Sequence, residues 1–250
     1  MNEIILNERA WVEAMLQQPS FGKKPVETLS RIARYYNEEG YKKSEISGLL
    51  ENYILRCDPS SSIVKWQGAI DVCAKHSDRR GMISIDGVSI TKGEIESIRK
   101  LNGIMLQMLM FTLLCVAKYG NAVNKDNNGW VNRDTKEIFG MANVTITTKR
   151  QSLLINDLWN AGYIGYSRVV DNININVKCI DDESEQEMFI IDFRNLGFQY
   201  RRHEGDKYME CCNCGLVIKK TSNRQKYCKD CATDINRQKS IDRYISSTVA

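Results

Sequence analysis

The chain of 250 residues has little histidine and little proline: His76 and His203 alone, and Pro19, Pro25 and Pro59, all in the first 60 residues, where they punctuate a helical region. Neither histidine stands in a Ser-His-Asp grouping, and none lies near the cysteine pairs in a way that builds a zinc-centred nuclease. A glycine-rich phosphate loop is also missing, and the paired acids Asp181 and Asp182 belong to an acidic run. An enzyme is therefore not expected. The most apolar stretch, 104–117, is interrupted by Gln107 and Thr112 and is too short for a bilayer, so it predicts a buried helix and no membrane span. The opening Met1-Asn2-Glu3-Ile4-Ile5 has no basic residues before its apolar ones, so no secretory signal is read and a cytoplasmic location is expected. There is no internal repeat and no low-complexity segment.

Cysteine, by contrast, is plentiful. The nine cysteines are odd in number, and Cys57, Cys73, Cys115 and Cys179 are scattered among apolar residues, which fits a reducing compartment and no disulfide framework. The others gather in Cys211-x-x-Cys214 and Cys228-x-x-Cys231, with thirteen residues between the pairs. Two such turns, each presenting two sulfurs, supply a tetrahedral thiolate site for zinc when a short hairpin joins them. Gly215 follows the first pair, where a positive φ is useful, and Leu216, Val217 and Ile218 read as a short strand. Four protein thiolates fill all four positions, so Zn2+ here is expected to be structural. Cys212 competes with Cys211 for a place in the set, and His203 is a further alternative ligand. Removal of the metal is expected to unfold only the last 45 or so residues.

The formal net charge is +4, from 35 basic and 31 acidic residues. It is uneven: residues 201–250 hold eleven Lys and Arg against six Asp and Glu. A basic end of this kind suits nucleic-acid contact and also occurs as plain solvated surface.

Apolar spacing predicts a helix opening at Pro25, a second capped by Ser44 and stopped by Asp58-Pro59, and a third from about Ser62. Alternation over 82–90 around Asp86-Gly87 predicts a hairpin joining two domains. Thr91-x-x-Glu94 is a capping box that starts a helical stretch interrupted near Gly103 and ending at Gly120, before a polar loop over 121–129. The acidic run 181–187 predicts a loop and 188–193 a strand.

Between them, residues 130–180 read in order as helix, turn, helix and two-stranded wing. Asp134 or Asn132 caps a short helix with Ile138, Phe139 and Met141; a turn at Ala142-Asn143-Val144 leads to a helix over 147–161, with Leu154, Ile155 and Leu158 facing the core. Gly162 ends it. Tyr163-Ile164 enters a strand that returns after Asp171-Asn172, where Ile173, Ile175, Val177 and Cys179 alternate with polar residues.

The segment 95–180 resembles the winged-helix family, above all in Leu158-Trp159-Asn160-Ala161-Gly162-Tyr163-Ile164. That resemblance implies a recognition helix over 147–161, with Thr145, Thr147, Thr148, Lys149 and Gln151 at the end that enters the major groove of double-stranded DNA, and Arg168 and Lys178 on the wing. The charge is thin, six basic against four acidic residues over 130–180, and winged helices also dock proteins. The whole is similar to proteins of phages and bacterial mobile elements. The expected fold is mainly α with small β elements: a helical bundle at 1–90, a winged helix-turn-helix domain at 91–200, and a zinc ribbon with a basic tail at 201–250. The expected function is non-enzymatic DNA binding in transcriptional control or replication initiation, with Lys219, Lys220, Arg224, Lys226 and Lys229 adding phosphate contacts. An adaptor for a host polymerase, replication or defence protein is the alternative.

Overall fold

In the computed structural model, which describes residues 4–22, 24–167 and 174–248, helices dominate and the strands form three small sheets. The chain divides into two units, Met1–Asp86 and Gly87–Ala250.

The first unit consists of α1 (Glu8–Gln17), α2 (Pro25–Glu38), α3 (Lys43–Cys57) and α4 (Ile63–Lys75). Pro25 opens α2 as the spacing predicted, its missing N–H being one the first turn leaves unpaired anyway. Helix α3 departs from the expected Ser44 cap: it starts at Lys43, because the Glu45 carboxylate accepts the Lys42 N–H at 2.7 Å and sets the cap two residues earlier. Leu29, Ile32, Ile46, Leu50, Ile54 and Ile70 are fully buried between α2, α3 and α4. Tyr53 joins them, its hydroxyl donating to the Ser20 carbonyl at 2.7 Å, and burial pushes its phenol up to about 12.

Helix α1 carries a buried charge. Glu8 accepts from Arg34 Nη1 at 2.6 Å and Nη2 at 2.8 Å, from Arg31 Nε at 3.2 Å and from the Ile83 N–H at 2.9 Å. Burial raises the Glu8 carboxyl, but the bonds from Arg34 and from the Ile83 amide outweigh it and hold the group below its ordinary value of 4.5.

The second unit is built around α6 (Ile104–Val123), a helix apolar on every side. Leu109, Met110, Phe111, Leu113, Leu114 and Cys115 have no exposure. The helix runs three residues past the expected stop at Gly120, and at 20 residues it is, by length and composition, long enough to cross a membrane, unlike the shorter stretch read from the sequence. Here it is covered by α5 (Lys92–Arg99), α7 (Thr135–Met141), α8 (Thr148–Asn160) and α9 (Leu196–His203). Thr91 and Glu94 form the predicted capping box, and Glu94 also takes the Lys118 ammonium at 2.9 Å in the interior.

The hairpin expected over 82–90 does not form. Strand β1 (Val88–Thr91) instead pairs antiparallel with a strand almost a hundred residues away, Gln186–Ile190, with Val88 opposite Ile190 and Thr91 opposite Gln186. Gly87 permits this, since a Cβ there would lie 2.7 Å from the Ile190 carbonyl oxygen. The acidic run is likewise less of a loop than its charge predicted: Gln186 and Glu187 belong to the strand, and Lys92 and Lys118 neutralise Glu185 and Asp182.

Beyond α6, a single 3-10 turn (Lys125–Asn127) leads to β2 (Trp130–Val131). Asp134, of the two candidates, caps α7. After α8 come β3 (Ile164–Tyr166) and β4 (Ile175–Val177), and the three strands form one antiparallel sheet in the order β2-β4-β3. Arg168, Asp171, Asn172 and Ile173 lie outside the described residues. The strand Gln186–Ile190 is β5; after α9, β6 (Tyr208–Glu210) pairs with β7 (Val217–Lys219), and α10 (Lys229–Thr248) closes the described chain.

Glu8→Ala would leave Arg34 buried without its carboxylate, a loss of about 3–5 kcal/mol for breaking one partner of a buried pair. The expected outcome is faster amide exchange throughout α2 and α3. Because the Glu8 pKa is depressed on folding, its stabilisation is present above the unfolded value of 4.5 and is lost as pH falls through the lower folded value. Acid should therefore narrow the gap between variant and parent, and equal exchange in both proteins at neutral pH would show that the pair is dispensable.

Candidate metal centre and the surface of helix α8

The β6–β7 hairpin brings the first cysteine pair to the start of α10, where the second pair sits. The Sγ atoms of Cys211, Cys214, Cys228 and Cys231 all lie within 4.8 Å of one another. The first knuckle closes through Gly215, whose φ of +71° lets its N–H reach the Cys211 carbonyl at 2.9 Å. The second is the opening turn of α10, tied by the Ala232 N–H to the Cys228 carbonyl at 2.9 Å. Several N–H groups point at sulfur: Cys228 N to Cys211 Sγ at 3.2 Å, Cys231 N to Cys228 Sγ at 3.4 Å, and Asn213 Nδ2 to Cys231 Sγ at 3.3 Å.

These donors favour thiolates. Burial works against ionisation of Cys211, but the backbone N–H groups of Cys228, Cys214 and Asn213 prevail and bring it down to about 6. For Cys231 the Asn213 amide pulls down, yet the crowding of the Cys228, Cys214 and Cys211 sulfurs wins and raises it to about 12. Four thiols this close cannot all ionise unaided; a cation removes the conflict. An all-sulfur set with four filled positions fits a soft or borderline ion held structurally. Little else holds the hairpin together, for its interior is three of the cysteines with Cys214, Leu216 and Ile218 packed against them. Cys212 is exposed and outside the cluster, its N–H bonded to the Lys226 carbonyl at 2.9 Å. His203 is also outside, 3.3 Å from Glu187.

The hairpin is fastened to the rest of its unit. Arg194 Nη2 donates to the Cys214 carbonyl at 2.7 Å, Asn195 Nδ2 donates to the Val217 carbonyl at 2.9 Å, and Phe198 of α9 meets Tyr208 of β6 at 4.9 Å between ring centres.

Helix α8 buries Ile155 and Leu158. Thr147 is its N-cap, and Thr145, Thr147, Thr148 and Lys149 are exposed together at that end, with Gln151 half-buried behind them. Lys178, just past β4, is exposed and lies across Gly165 of β3. Lys219, Lys220, Arg224, Lys226 and Lys229 are exposed as a separate group on β7, the loop after it and the start of α10. Sequence reasoning passed over Asn143, Arg194, Asn195 and Gly197, which join these regions; Asn143 stood in the expected turn, but its partner 52 residues on has no local signature.

No protein-family model, curated protein or solved structure matches this chain. Its geometry must carry the functional reading.

Titration of the metal-free protein with Co2+ should saturate at one equivalent and give the thiolate charge-transfer and ligand-field bands of a tetrahedral sulfur site. Cys228→Ser should abolish those bands while Cys212→Ser leaves them intact. Unchanged bands in the Cys228 variant would remove that residue from the ligand set. Acid should release the ion, because every ligand must lose a proton to bind.

Proposed function

We propose that this chain is a non-enzymatic DNA-binding protein in which a winged helix reads the duplex and a structural zinc ribbon adds phosphate contacts. The observation that carries the reading is the succession α6, β2, α7, α8, β3, β4 with sheet order β2-β4-β3. Three helices followed by a hairpin, with the hairpin's second strand also paired to a short strand between the first two helices, is the layout of a winged helix. In that layout α8 is the recognition helix. Its exposed Thr145, Thr147, Thr148 and Lys149 suit phosphate oxygens and base edges, and Gln151 can bridge adenine. Zinc suits the four-thiolate cluster because the ion needs no further ligand and carries no redox chemistry. The role we infer is transcriptional control or replication initiation in a phage or mobile element, on the likeness of the whole arrangement to proteins of such elements.

A specific observation favours the second reading, an adaptor for a host protein. Along α8, Leu153 is 53% exposed and Trp159 is 50% exposed, an apolar content greater than a phosphate-facing helix requires.

Fluorescence anisotropy with double-stranded DNA over a salt series separates the two. The DNA reading expects affinity that falls steeply with salt. Neutralising the five ribbon bases should weaken binding to all sequences alike and flatten the slope by roughly 0.9 for each phosphate that is no longer neutralised. Lys149→Ala and Gln151→Ala should instead shift preference among sequences. An unchanged preference would remove α8 from recognition, and no binding at low salt would favour the adaptor.

A further inference from the structure

The turn between α7 and α8 and the metal-bearing hairpin are bonded to the same five residues, 194–198, at the start of α9. One side-chain amide spans both. Asn195 Oδ1 accepts from Asn143 Nδ2 at 2.9 Å, while Asn195 Nδ2 donates to the Val217 carbonyl of β7 at 2.9 Å. Beside it, Asn143 Oδ1 accepts the Phe198 N–H at 3.3 Å, and Arg194 reaches the carbonyl of the ligand Cys214 at 2.7 Å. The approach is close: a Cβ at Gly197 would overlap the Ala142 carbonyl oxygen and lie 2.8 Å from Met108 Cε. Both asparagines are held left-handed, at φ +57° for Asn143 and +52° for Asn195. Asparagine takes this backbone more readily than other side chains do, and at Asn143 it closes the end of α7, whose Phe139 carbonyl accepts the Val144 N–H at 3.1 Å.

We propose that residues 194–198 transmit the state of the metal centre to the α7–α8 turn, with Asn195 as the positioning residue. This rests on reading the four cysteines as a metal centre and α8 as the working surface. Inside the hairpin only Leu216 and Ile218 pack against the cysteines, so loss of the ion loosens β7 and weakens the hold of the Val217 and Cys214 carbonyls on Asn195 and Arg194. The Asn195 amide then loses the bond that orients it, and Asn143, which shapes the end of α7, loses a fixed partner. The α8 N-terminus, carrying Thr147, Thr148 and Lys149, follows that turn directly. Metal occupancy is thereby coupled to the pose of α8, and its effect extends past the ribbon.

Hydrogen exchange on the full-length protein, with zinc content measured in the same samples and no DNA present, tests this. Chelation is expected to speed exchange over 139–151 about tenfold while leaving 106–117 in α6 unchanged, the signature of a local opening. Asn195→Ala should show the faster exchange with zinc still bound and should not respond further to chelation. Asn195→Gly tolerates the left-handed backbone while deleting the bridging amide, and should behave in the same way if the alanine variant fails to fold. Zinc loss without change over 139–151, or equal acceleration in α6, overturns the relay. A chain that takes up no zinc overturns the metal reading and the relay together. Because DNA is absent, failure to bind DNA leaves this result standing and is read separately.

Discussion

Helix α6 has no polar face over 108–117, and a helix apolar on all sides must be covered on all sides. The helices packed around it answer to that requirement. Helices α5, α7, α8 and α9 each surrender an apolar stripe to it, as Phe111 against Tyr200 shows, with ring centres 5.3 Å apart. What remains for function is whatever those elements turn outward. For α8 that is the Thr147 to Lys149 end and the Leu153 face; for α9 it is the short stretch before its first turn, which reaches the hairpin.

Charge is admitted to the interior only with partners. Glu94 is fully buried, yet Lys118, the Thr91 N–H and the Asp181 N–H satisfy it, so one carboxylate fastens α5, α6 and the segment leading to β5. Lys118 in turn holds Asp182 at 2.8 Å, which is how an acidic run comes to lie against a folded surface. Glu8 does the same for the first unit through Arg34. Buried pairs of this kind add less net stability than their short distances suggest, because both ions were desolvated.

The cysteine cluster is the opposite case: a site with almost no hydrophobic support, where N–H groups aimed at sulfur prepare ligands for a cation. Its carbonyls are also acceptors for neighbouring side chains. Those bonds give the proposed zinc ribbon a structural consequence for the proposed winged helix, which a freely tethered module would lack.

Features that depend on near neighbours could be read from the residues in order. Two sulfurs three residues apart, a glycine after the first pair, the Thr91–Glu94 box, and the apolar spacing of α2, α6 and α8 are each decided within a turn or two, so they were legible. Features that depend on distant partners became visible only in the folded chain. Alternation over 82–90 suggested a local hairpin and could not show that 88–91 would pair with 186–190, because strand pairing is settled by which edges the core leaves adjacent. Helix α1 was passed over because its anchor is a buried glutamate, which reads as a surface residue until Arg34 is brought beside it. Asn143 and Asn195 look like ordinary turn residues; only the docking of α9 through Gly197 places one amide against the other.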